Sequence, residues 1–325
     1  MRKHILFIII LTLTSVFSLF AQNNYYYNKG YKYFEKKEYD SSIYNLNKSI
    51  DLNIEIENCN YYKGAIYLYK KQYDSSIYCF NKSLKDTFLF KNAKYHIGLC
   101  YYELNDLDKA KSIANQVDSN YLNIVYLNGL ISIKQRNTED GIIKFRKVIS
   151  IGGNSSIISM AHSELGAALT LSFEEESLIE CKKAFLSDFR DARLYRNRGW
   201  ALYINGFHQE ALSDFYTSYN LDSLNGDLVL DYIYRLNFEL KLYNEALLSI
   251  NKSIKRNPDW GGLYYKKARC LIELKRFDEA ITEINIFNSK YSKNDALDSS
   301  SMYQFRKKDF KKIPKEYLSK LNFKR

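Results

Sequence analysis

Apolar residues recur along this chain at steps of three and four, which is the spacing of one face of an α-helix. Leu247, Ile250 and Ile254 follow this spacing, and a second apolar series with the same spacing begins after Asn257 and Pro258. Proline cannot continue a helix, and it disfavours the helical conformation in the residue before it. The pattern therefore predicts two helices that are joined by a turn at this proline.

The helical pattern repeats with a fixed period. Gly30, Gly64 and Gly98 are each 34 residues apart, and the same step separates Tyr243 from Phe277. A fixed period of this size indicates an array of one repeated unit. The repeat is therefore predicted to be a helical hairpin that occurs many times along the chain.

Small and large residues are paired inside each repeat. Gly64 and Ser76 lie 12 residues apart, which places one small residue on each helix, and Phe80 follows four residues after the second. Gly199 and Ala211 show the same spacing. Small residues let two helices approach closely, and a large residue is then needed to fill the space between hairpins.

This pattern resembles the tetratricopeptide repeat. The first two repeats match that family at Gly30, Tyr33, Tyr39, Ser42, Leu46 and Ser49, and at Gly64, Tyr67, Tyr73, Ser76, Phe80 and Ser83. The resemblance implies an all-α fold, a right-handed α-solenoid of about eight hairpins over residues 22–288. It also implies that the first helix of each hairpin lines a concave groove.

Three repeats depart from the family pattern. Ala114 stands where the third repeat should carry a large residue. The repeat at Gly166 closes one residue early and places Ser177 in the small position of its second helix. A later repeat carries Tyr234 where a small residue is expected, which predicts a splayed hairpin.

Residues 1–21 are typical of a secretory signal peptide. Arg2 and Lys3 precede an almost wholly apolar run that ends at Phe20, before the small residue Ala21. The run is shorter than the ~20 residues of a membrane-spanning helix, which favours a cleaved signal over an uncleaved anchor. We therefore expect an exported chain in the periplasm or at the cell surface of a Gram-negative bacterium, or a secreted one.

Residues 289–325 form a basic C-terminal segment, with eleven Lys and Arg against four Asp and Glu in a chain of net charge +11. The repeats are therefore nearly balanced in charge, which argues against a nucleic-acid-binding groove. Phe310, Ile313 and Tyr317 at helical spacing predict a capping helix with Pro314 at its first position. The basic residues are expected to form a solvated face of this cap, with a peripheral contact to an anionic envelope surface as the alternative.

The sequence contains no catalytic or metal-binding pattern. It lacks an HExxH pair, a phosphate-binding glycine loop and a GxSxG nucleophile motif. The five cysteines lie far apart at packing positions, which indicates buried thiols, with a Cys59–Cys79 bridge as the alternative. We therefore expect a non-enzymatic protein that needs no cofactor and no metal.

The groove that the resemblance implies is rich in aromatic residues and arginine. Tyr, Trp and Arg most often dominate the binding energy of protein interfaces, and such a wall can hold an extended peptide or a helix. Because the chain contains 30 tyrosines, ordinary packing is the competing interpretation. The residues expected to face the groove are Tyr27, Tyr31, Tyr61, Tyr95, Tyr126, Arg196, Asn197, Trp200, Tyr203, Tyr265 and Arg269.

These observations favour a scaffold that binds a protein or peptide partner in the groove. An envelope glycan-binding or membrane-associated protein is the alternative, because aromatic rings also stack on sugars and the C-terminus is basic. A sensor module of a signalling system is a further alternative, although the sequence shows neither a second apolar span nor an effector domain.

Overall fold

The structure is a computed structural model that describes residues 24–152, 155–187, 189–223, 226–290 and 311–320. Within these residues the chain is all-helical, with seventeen α-helices and no β-strand. The helices are α1 (Tyr25–Glu35), α2 (Tyr39–Asp51), α3 (Ile56–Tyr69), α4 (Tyr73–Ser83), α5 (Phe90–Glu103), α6 (Leu107–Ala114), α7 (Leu122–Lys134), α8 (Thr138–Ile151), α9 (Ser155–Leu169), α10 (Glu174–Lys183), α11 (Ala192–Ile204), α12 (His208–Leu221), α13 (Asp227–Glu239), α14 (Tyr243–Arg256), α15 (Gly261–Glu273), α16 (Phe277–Lys290) and α17 (Lys315–Leu318). The predicted signal peptide, residues 1–21, lies outside the described residues.

Helices α1 to α16 form consecutive packed pairs, so the predicted α-solenoid of hairpins is confirmed. The chain divides into two compact units, Met1–Ala161 and His162–Arg325, and the boundary falls inside α9. Each unit has its own buried apolar clusters. None of the helices in the described residues combines the length and the apolar character needed to cross a membrane.

The two helices of a hairpin meet where the sequence places small residues. The Ser76 hydroxyl donates a hydrogen bond of 2.8 Å to the carbonyl oxygen of Gly64, and Ser42 makes the same bond to Gly30. Phe80 is fully buried against Gly64, where an added Cβ would lie 2.9 Å from the ring. The glycine therefore leaves room for the ring, and its carbonyl satisfies the buried hydroxyl.

The third hairpin compensates for its missing large residue with one from the next hairpin. Ala114 is buried, and the space beside Gly98 is filled by Leu127 of α7, whose Cδ2 would lie 2.5 Å from a Cβ at Gly98. The position that is usually filled from within the hairpin is thus filled by its neighbour, which ties α5 directly to α7.

The two irregular hairpins of the C-terminal unit are packed in different ways. In the hairpin of α9 and α10, Thr170 and Ser177 share a buried hydrogen bond of 2.9 Å, and Cys181 lies against Gly166. In the hairpin of α13 and α14, Tyr234 is buried in the core, and its hydroxyl donates to the main-chain oxygen of Lys266 at 3.5 Å.

Seven of the eight first helices end in a turn of the same kind, and α9 is the exception, because the amide of Phe173 donates to the carbonyl of Leu169 with no left-handed residue between them. In the first hairpin, the amide of Glu38 donates to the carbonyl of Tyr33 across a left-handed residue, which closes the turn before α2. The left-handed positions are Lys37, Lys71, Asn105, Arg136, Gly206, Lys241 and Lys275, with φ between 58° and 80°. Only one of them is glycine, so the turn is imposed by the hairpin contacts on residues that do not favour it.

Residues 311–320 pack on the last hairpin, as the sequence predicted for a cap. Ile313 is buried in the apolar cluster of that hairpin, and the Tyr317 ring lies 5.3 Å from Phe277. Lys320 forms an ion pair of 2.7 Å with Asp278. The helix itself is a single turn. The sequence predicted Pro314 as its first residue, whereas in the structure Pro314 directly precedes the first residue. Phe310 lies outside the described residues.

All five cysteines are buried thiols. The Cys100 thiol donates to the Ser76 hydroxyl at 3.3 Å. Burial raises the pKa of Cys100 to about 11 and the pKa values of Cys181 and Cys270 to about 12. The thiols therefore behave as small apolar residues, and the alternative of a Cys59–Cys79 bridge is not what the structure shows.

Replacing Gly166 by Ala should destabilise the chain by about 1–3 kcal/mol, because the added methyl overpacks a full core. The new Cβ would lie 2.9 Å from the backbone oxygen of Ser177, which cannot rotate away. Gly64→Ala should cost less, since its nearest contact is the Phe80 ring, and Gly261→Ala, with only ordinary contacts, should cost nothing. Urea unfolding followed by circular dichroism measures all three, and an unchanged midpoint for Gly166→Ala would contradict this account.

Candidate partner-binding surface

Neighbouring first helices are joined by a contact that recurs along the chain. Positions are counted back from the small residue of each first helix, such as Gly98 or Gly64. The residue two positions back in one hairpin contacts the residue three positions back in the hairpin before it. His96 and Tyr61 make this contact at 3.1 Å, and the Asn197 side-chain amide donates to the Ser163 hydroxyl at 3.0 Å. The pair Lys266 and Asp231 makes it as an ion pair. These positions therefore hold the first-helix surface together.

In the N-terminal unit, aromatic rings on α1 and α3 form one continuous group. Tyr62 is at its centre, with ring centroids at 5.1 Å from Tyr31, 5.1 Å from Phe34, 6.3 Å from Tyr27 and 5.8 Å from Tyr61. All five rings are partly exposed. We call these residues and His96 the N-terminal aromatic cluster.

The hydroxyls of Tyr27, Tyr31 and Tyr61 stay protonated at neutral pH. Burial raises the pKa of Tyr61 to about 12, and burial together with Tyr62 raises the pKa of Tyr27. A hydrogen bond to Glu35 raises the pKa of Tyr31. These three rings therefore present neutral hydroxyls, each of which can both donate and accept a hydrogen bond.

His96 connects the cluster to α5. Its ring stacks on Phe80 with a centroid distance of 5.0 Å and an interplanar angle of 12°, and its Nε2 lies 3.1 Å from the Tyr61 hydroxyl. Burial lowers the pKa of His96 to about 4, so the ring is neutral at physiological pH. The ring contacts of His96 are with Tyr61, Phe80 and Tyr95. None of these side chains is a carboxylate that would stabilise a charged imidazolium.

In the C-terminal unit, a second group of rings lies on α11, α12 and α13. Trp200 stacks on Tyr232 at 5.3 Å, Tyr232 stacks on the buried Phe215 at 4.9 Å, and Tyr203 lies 5.6 Å from Trp200. The Tyr203 hydroxyl donates to the Glu239 carboxylate at 3.0 Å. We call Trp200, Tyr203, Phe215 and Tyr232 the C-terminal aromatic cluster.

Charged side chains lie beside the C-terminal aromatic cluster. Asp231 accepts from Arg235 at 2.8 Å and also pairs with Lys266. Arg196 donates to the side-chain oxygen of Asn197 at 3.2 Å, and Tyr232 lies close enough to Arg196 to be influenced by its charge. The surface therefore combines exposed aromatic area with donors and acceptors of both signs, as protein interfaces do.

Three of the residues predicted to face a groove are buried, and for these the prediction is wrong. Tyr126 is fully buried, since α7 is apolar around most of its circumference and the ring packs on Phe145 at 5.8 Å. Tyr95 is 5% exposed and packs on His96 at 5.0 Å. Asn197 is 5% exposed because its amide bonds the preceding first helix.

The other predicted residues keep part of their surface exposed. Arg269 lies over the Phe238 ring at 4.4 Å, and Tyr265 lies 5.5 Å from Phe287. The partly exposed residues of the predicted set are Tyr27, Tyr31, Tyr61, Arg196, Trp200, Tyr203, Tyr265 and Arg269. The structure brings Tyr27, Tyr31 and Tyr61 together around Tyr62, and it brings Trp200 and Tyr203 into contact.

Sequence reasoning missed Tyr232, which links Trp200 to the buried Phe215. It lies two positions before Tyr234, so it occupies the position that Asn197 holds in the preceding hairpin. Counting two positions back from Tyr234, which stands in the small position of this repeat, would have shown it.

Two stretches of the chain match family models described as tetratricopeptide repeat, residues 92–121 and 262–285. The first covers α5 and α6, and the second lies on α15 and α16. No curated protein sequence matches the chain.

Solved structures of similar fold include the APC/C hetero-tetramer Cut9-Hcn1. The match covers 77% of this chain and 49% of that chain, with 11% identity and a TM-score of 0.60, which shows the helical-repeat fold. A tetratricopeptide repeat protein from Parabacteroides merdae ATCC 43184 matches over 75% of this chain and 97% of its own, with 12% identity and a TM-score of 0.45. PilF of Pseudomonas aeruginosa matches over 53% and 77%, with 22% identity and a TM-score of 0.46.

Replacing His96 by Gln should weaken the dependence of stability on pH between about 6.5 and about 4. Because the folded chain holds this ring neutral with a pKa of about 4, against 6.5 for a free histidine, only the unfolded chain takes up the proton in this window. The wild type should therefore lose about 1–2 kcal/mol more than His96→Gln on going from pH 7 to pH 5. Urea unfolding at both pH values measures the difference, and equal losses in the two proteins would contradict a neutral, buried His96.

Proposed function

We propose that this chain, a tetratricopeptide repeat protein, binds a protein partner through the first-helix surfaces of its two units. Tetratricopeptide repeats generally mediate protein–protein interactions and typically act as non-enzymatic scaffolds. The finer proposal is that the N-terminal and C-terminal aromatic clusters hold an extended peptide or a helix. We also propose that the chain is non-catalytic and works without a cofactor.

The observation that carries the proposal is the partial exposure of large aromatic rings on the first helices. Tyr31 reaches outward from α1 and touches only Tyr62 among the ring contacts that the structure gives it. Tyr203 is partly exposed and directs its hydroxyl to Glu239. Large rings with polar tips are efficient at interfaces, because they bury much apolar area and still satisfy hydrogen bonds.

The clusters are fixed before a partner arrives. Trp200 is held between Tyr203 and Tyr232, and Tyr61 is held by its bond to His96. A side chain that is already ordered loses little conformational freedom on binding, which favours affinity. The surface is therefore suited to recognise a partner without rearranging.

The proposed place of action is the cell envelope, after export through the signal peptide predicted at residues 1–21. The sequence of that segment supports this part of the proposal, and so does the basic character of residues 289–325, through which the chain would make a peripheral contact with the envelope.

Replacing Tyr31 and Tyr203 together by Ser should weaken partner binding at least about tenfold, since each truncation removes interface area worth about 1–2 kcal/mol. Trp200 is left in place because it stacks on Tyr232, and circular dichroism verifies that Tyr203→Ser, whose ring also packs against the buried cluster, keeps the fold. The measurement is affinity purification of the tagged chain from its own envelope fraction, followed by quantitative mass spectrometry.

Leu248→Ser provides the matched control, because this residue is 57% exposed on the second helix α14, away from the first-helix surface. One protein that is retained by the wild type and by Leu248→Ser but lost with the tyrosine variant supports the proposal. Equal retention by all three proteins would remove the aromatic clusters from the argument. Retention of polysaccharide or lipid in place of a protein would favour the envelope-binding alternative.

A further inference from the structure

The outward faces of α2 and α4 carry the same five exposed residues. Tyr44 and Tyr78 are 60% and 63% exposed, although tyrosine is a large ring that folding would normally cover. Asp51, the last residue of α2, is also exposed, and Lys85 stands at the equivalent position after α4. The shared exposed residues are Asp40, Ser41, Tyr44, Asn47 and Lys48 on α2, and Asp74, Ser75, Tyr78, Asn81 and Lys82 on α4. We call these ten residues the outer patch.

Two of the four buried positions of the same two helices differ, while Ser42 and Ser49 of α2 correspond to Ser76 and Ser83 of α4. Asn45 of α2 corresponds to Cys79 of α4, and Leu46 corresponds to Phe80. Substitutions in a core are costly, whereas most surface substitutions change stability by less than about 0.5 kcal/mol. A pair of helices related by repetition should therefore differ first at the surface. Here the five patch residues are identical on the two helices, and the two changes between Asp40 and Lys48 both lie in the core, which stability alone does not explain.

The outer patch ends with these two hairpins. At the same positions of the third hairpin, α6 is followed by Gln116 in place of the lysine and carries Ser112 in place of the tyrosine. In the C-terminal unit, α14 keeps Asn251 and Lys252 but has Leu248 in place of the tyrosine. A composition rich in Tyr, Asn and Lys would not confine the full set to two adjacent helices.

Within each helix the patch runs from an acid through an aromatic ring to a base at steps of four residues. Lys48 Nζ lies 5.8 Å from the centroid of the Tyr44 ring, and Lys82 Nζ lies 5.3 Å from that of Tyr78. The helix dipole favours an acid in the first turn and a base in the last, so it accounts for the charges. It does not account for the tyrosine, the serine or the asparagine.

This order of charges makes the patch complementary to itself. A two-fold axis perpendicular to the patch would lay α2 antiparallel to α4 of a second copy. Asp40 would then face the partner's Lys82, Lys48 would face the partner's Asp74, and Tyr44 would lie against the partner's Tyr78. In this arrangement each patch aspartate faces a patch lysine of the other copy, and the exposed tyrosine rings cover one another. A single copy leaves these rings exposed.

We propose that the outer patch is a dimerisation surface on which a second copy of this chain docks antiparallel. This surface lies on the second helices of the N-terminal unit, so it leaves the first-helix surface open for the partner proposed above. The patch is small, and the dimer is therefore weak and forms in the micromolar range or above.

The test is sedimentation velocity of the purified chain at concentrations up to about 100 μM, a range suited to a small interface. The wild type should show a monomer–dimer equilibrium. Reversing the bases with Lys48→Asp and Lys82→Asp should raise the dissociation constant at least about tenfold, because acids then face acids. Adding Asp40→Lys and Asp74→Lys should restore dimerisation, because the patch is again complementary to itself with the charges exchanged.

Two controls keep the result specific to this patch. Lys252→Asp introduces the same charge change on α14, which has no exposed tyrosine in the patch position, and it should leave the equilibrium unchanged. The ion pair of Asp40 with Lys70 is lost in the fourfold variant, but exposed pairs contribute little to stability, and circular dichroism verifies the fold.

Three results would overturn the proposal. The first is a wild-type chain that stays monomeric over the whole concentration range. The second is a dimer that the double charge reversal leaves intact, which would place the interface elsewhere. The third is a monomer whose affinity for envelope polysaccharide falls with Tyr44→Ser and Tyr78→Ser, which would assign the outer patch to a glycan.

Discussion

The close contact between the two helices of each hairpin is the constraint on which the rest of this structure depends. A small residue on the first helix admits a large one from the second helix, as Phe80 lies on Gly64, and the carbonyl of that glycine satisfies the buried hydroxyl of Ser76. Where the large residue is missing, a neighbour supplies it, as Leu127 does at Gly98. This contact sets how the helices of a hairpin approach, and so which side chains the first helices leave exposed.

The fold could be read from the sequence because this contact leaves a marker every 34 residues between Gly30, Gly64 and Gly98. The exposure of the candidate site could not be read as well. Position in the repeat tells which way a side chain points, but not how much its neighbours cover it. Tyr126 points as Tyr61 does, yet it is fully buried because α7 is apolar on most of its circumference. The lack of charge before Lys134 in that helix was the signal that would have shown it.

The two faces of the N-terminal unit are built on different principles. On the first-helix face Tyr27 and Tyr61 recur at one position, but Tyr62 and His96 differ at the next, and each of these two is fixed by a specific contact with its neighbour. On the second-helix face Tyr44 and Tyr78 are repeated and exposed. A varied surface suits a partner that has its own sequence, whereas a repeated, self-complementary surface suits a second copy of the same chain.

The central claim is that the first-helix aromatic clusters contact a protein partner, and site-specific photo-crosslinking in the native cell tests it most directly. A photoreactive phenylalanine at Tyr31 or Tyr203 should give a crosslink to one and the same protein, because both residues are exposed on the first-helix surface. The same group at Leu248, on the second helix α14, should not give that crosslink. Identical crosslinks from all three positions, or none from Tyr31 and Tyr203, would contradict the account.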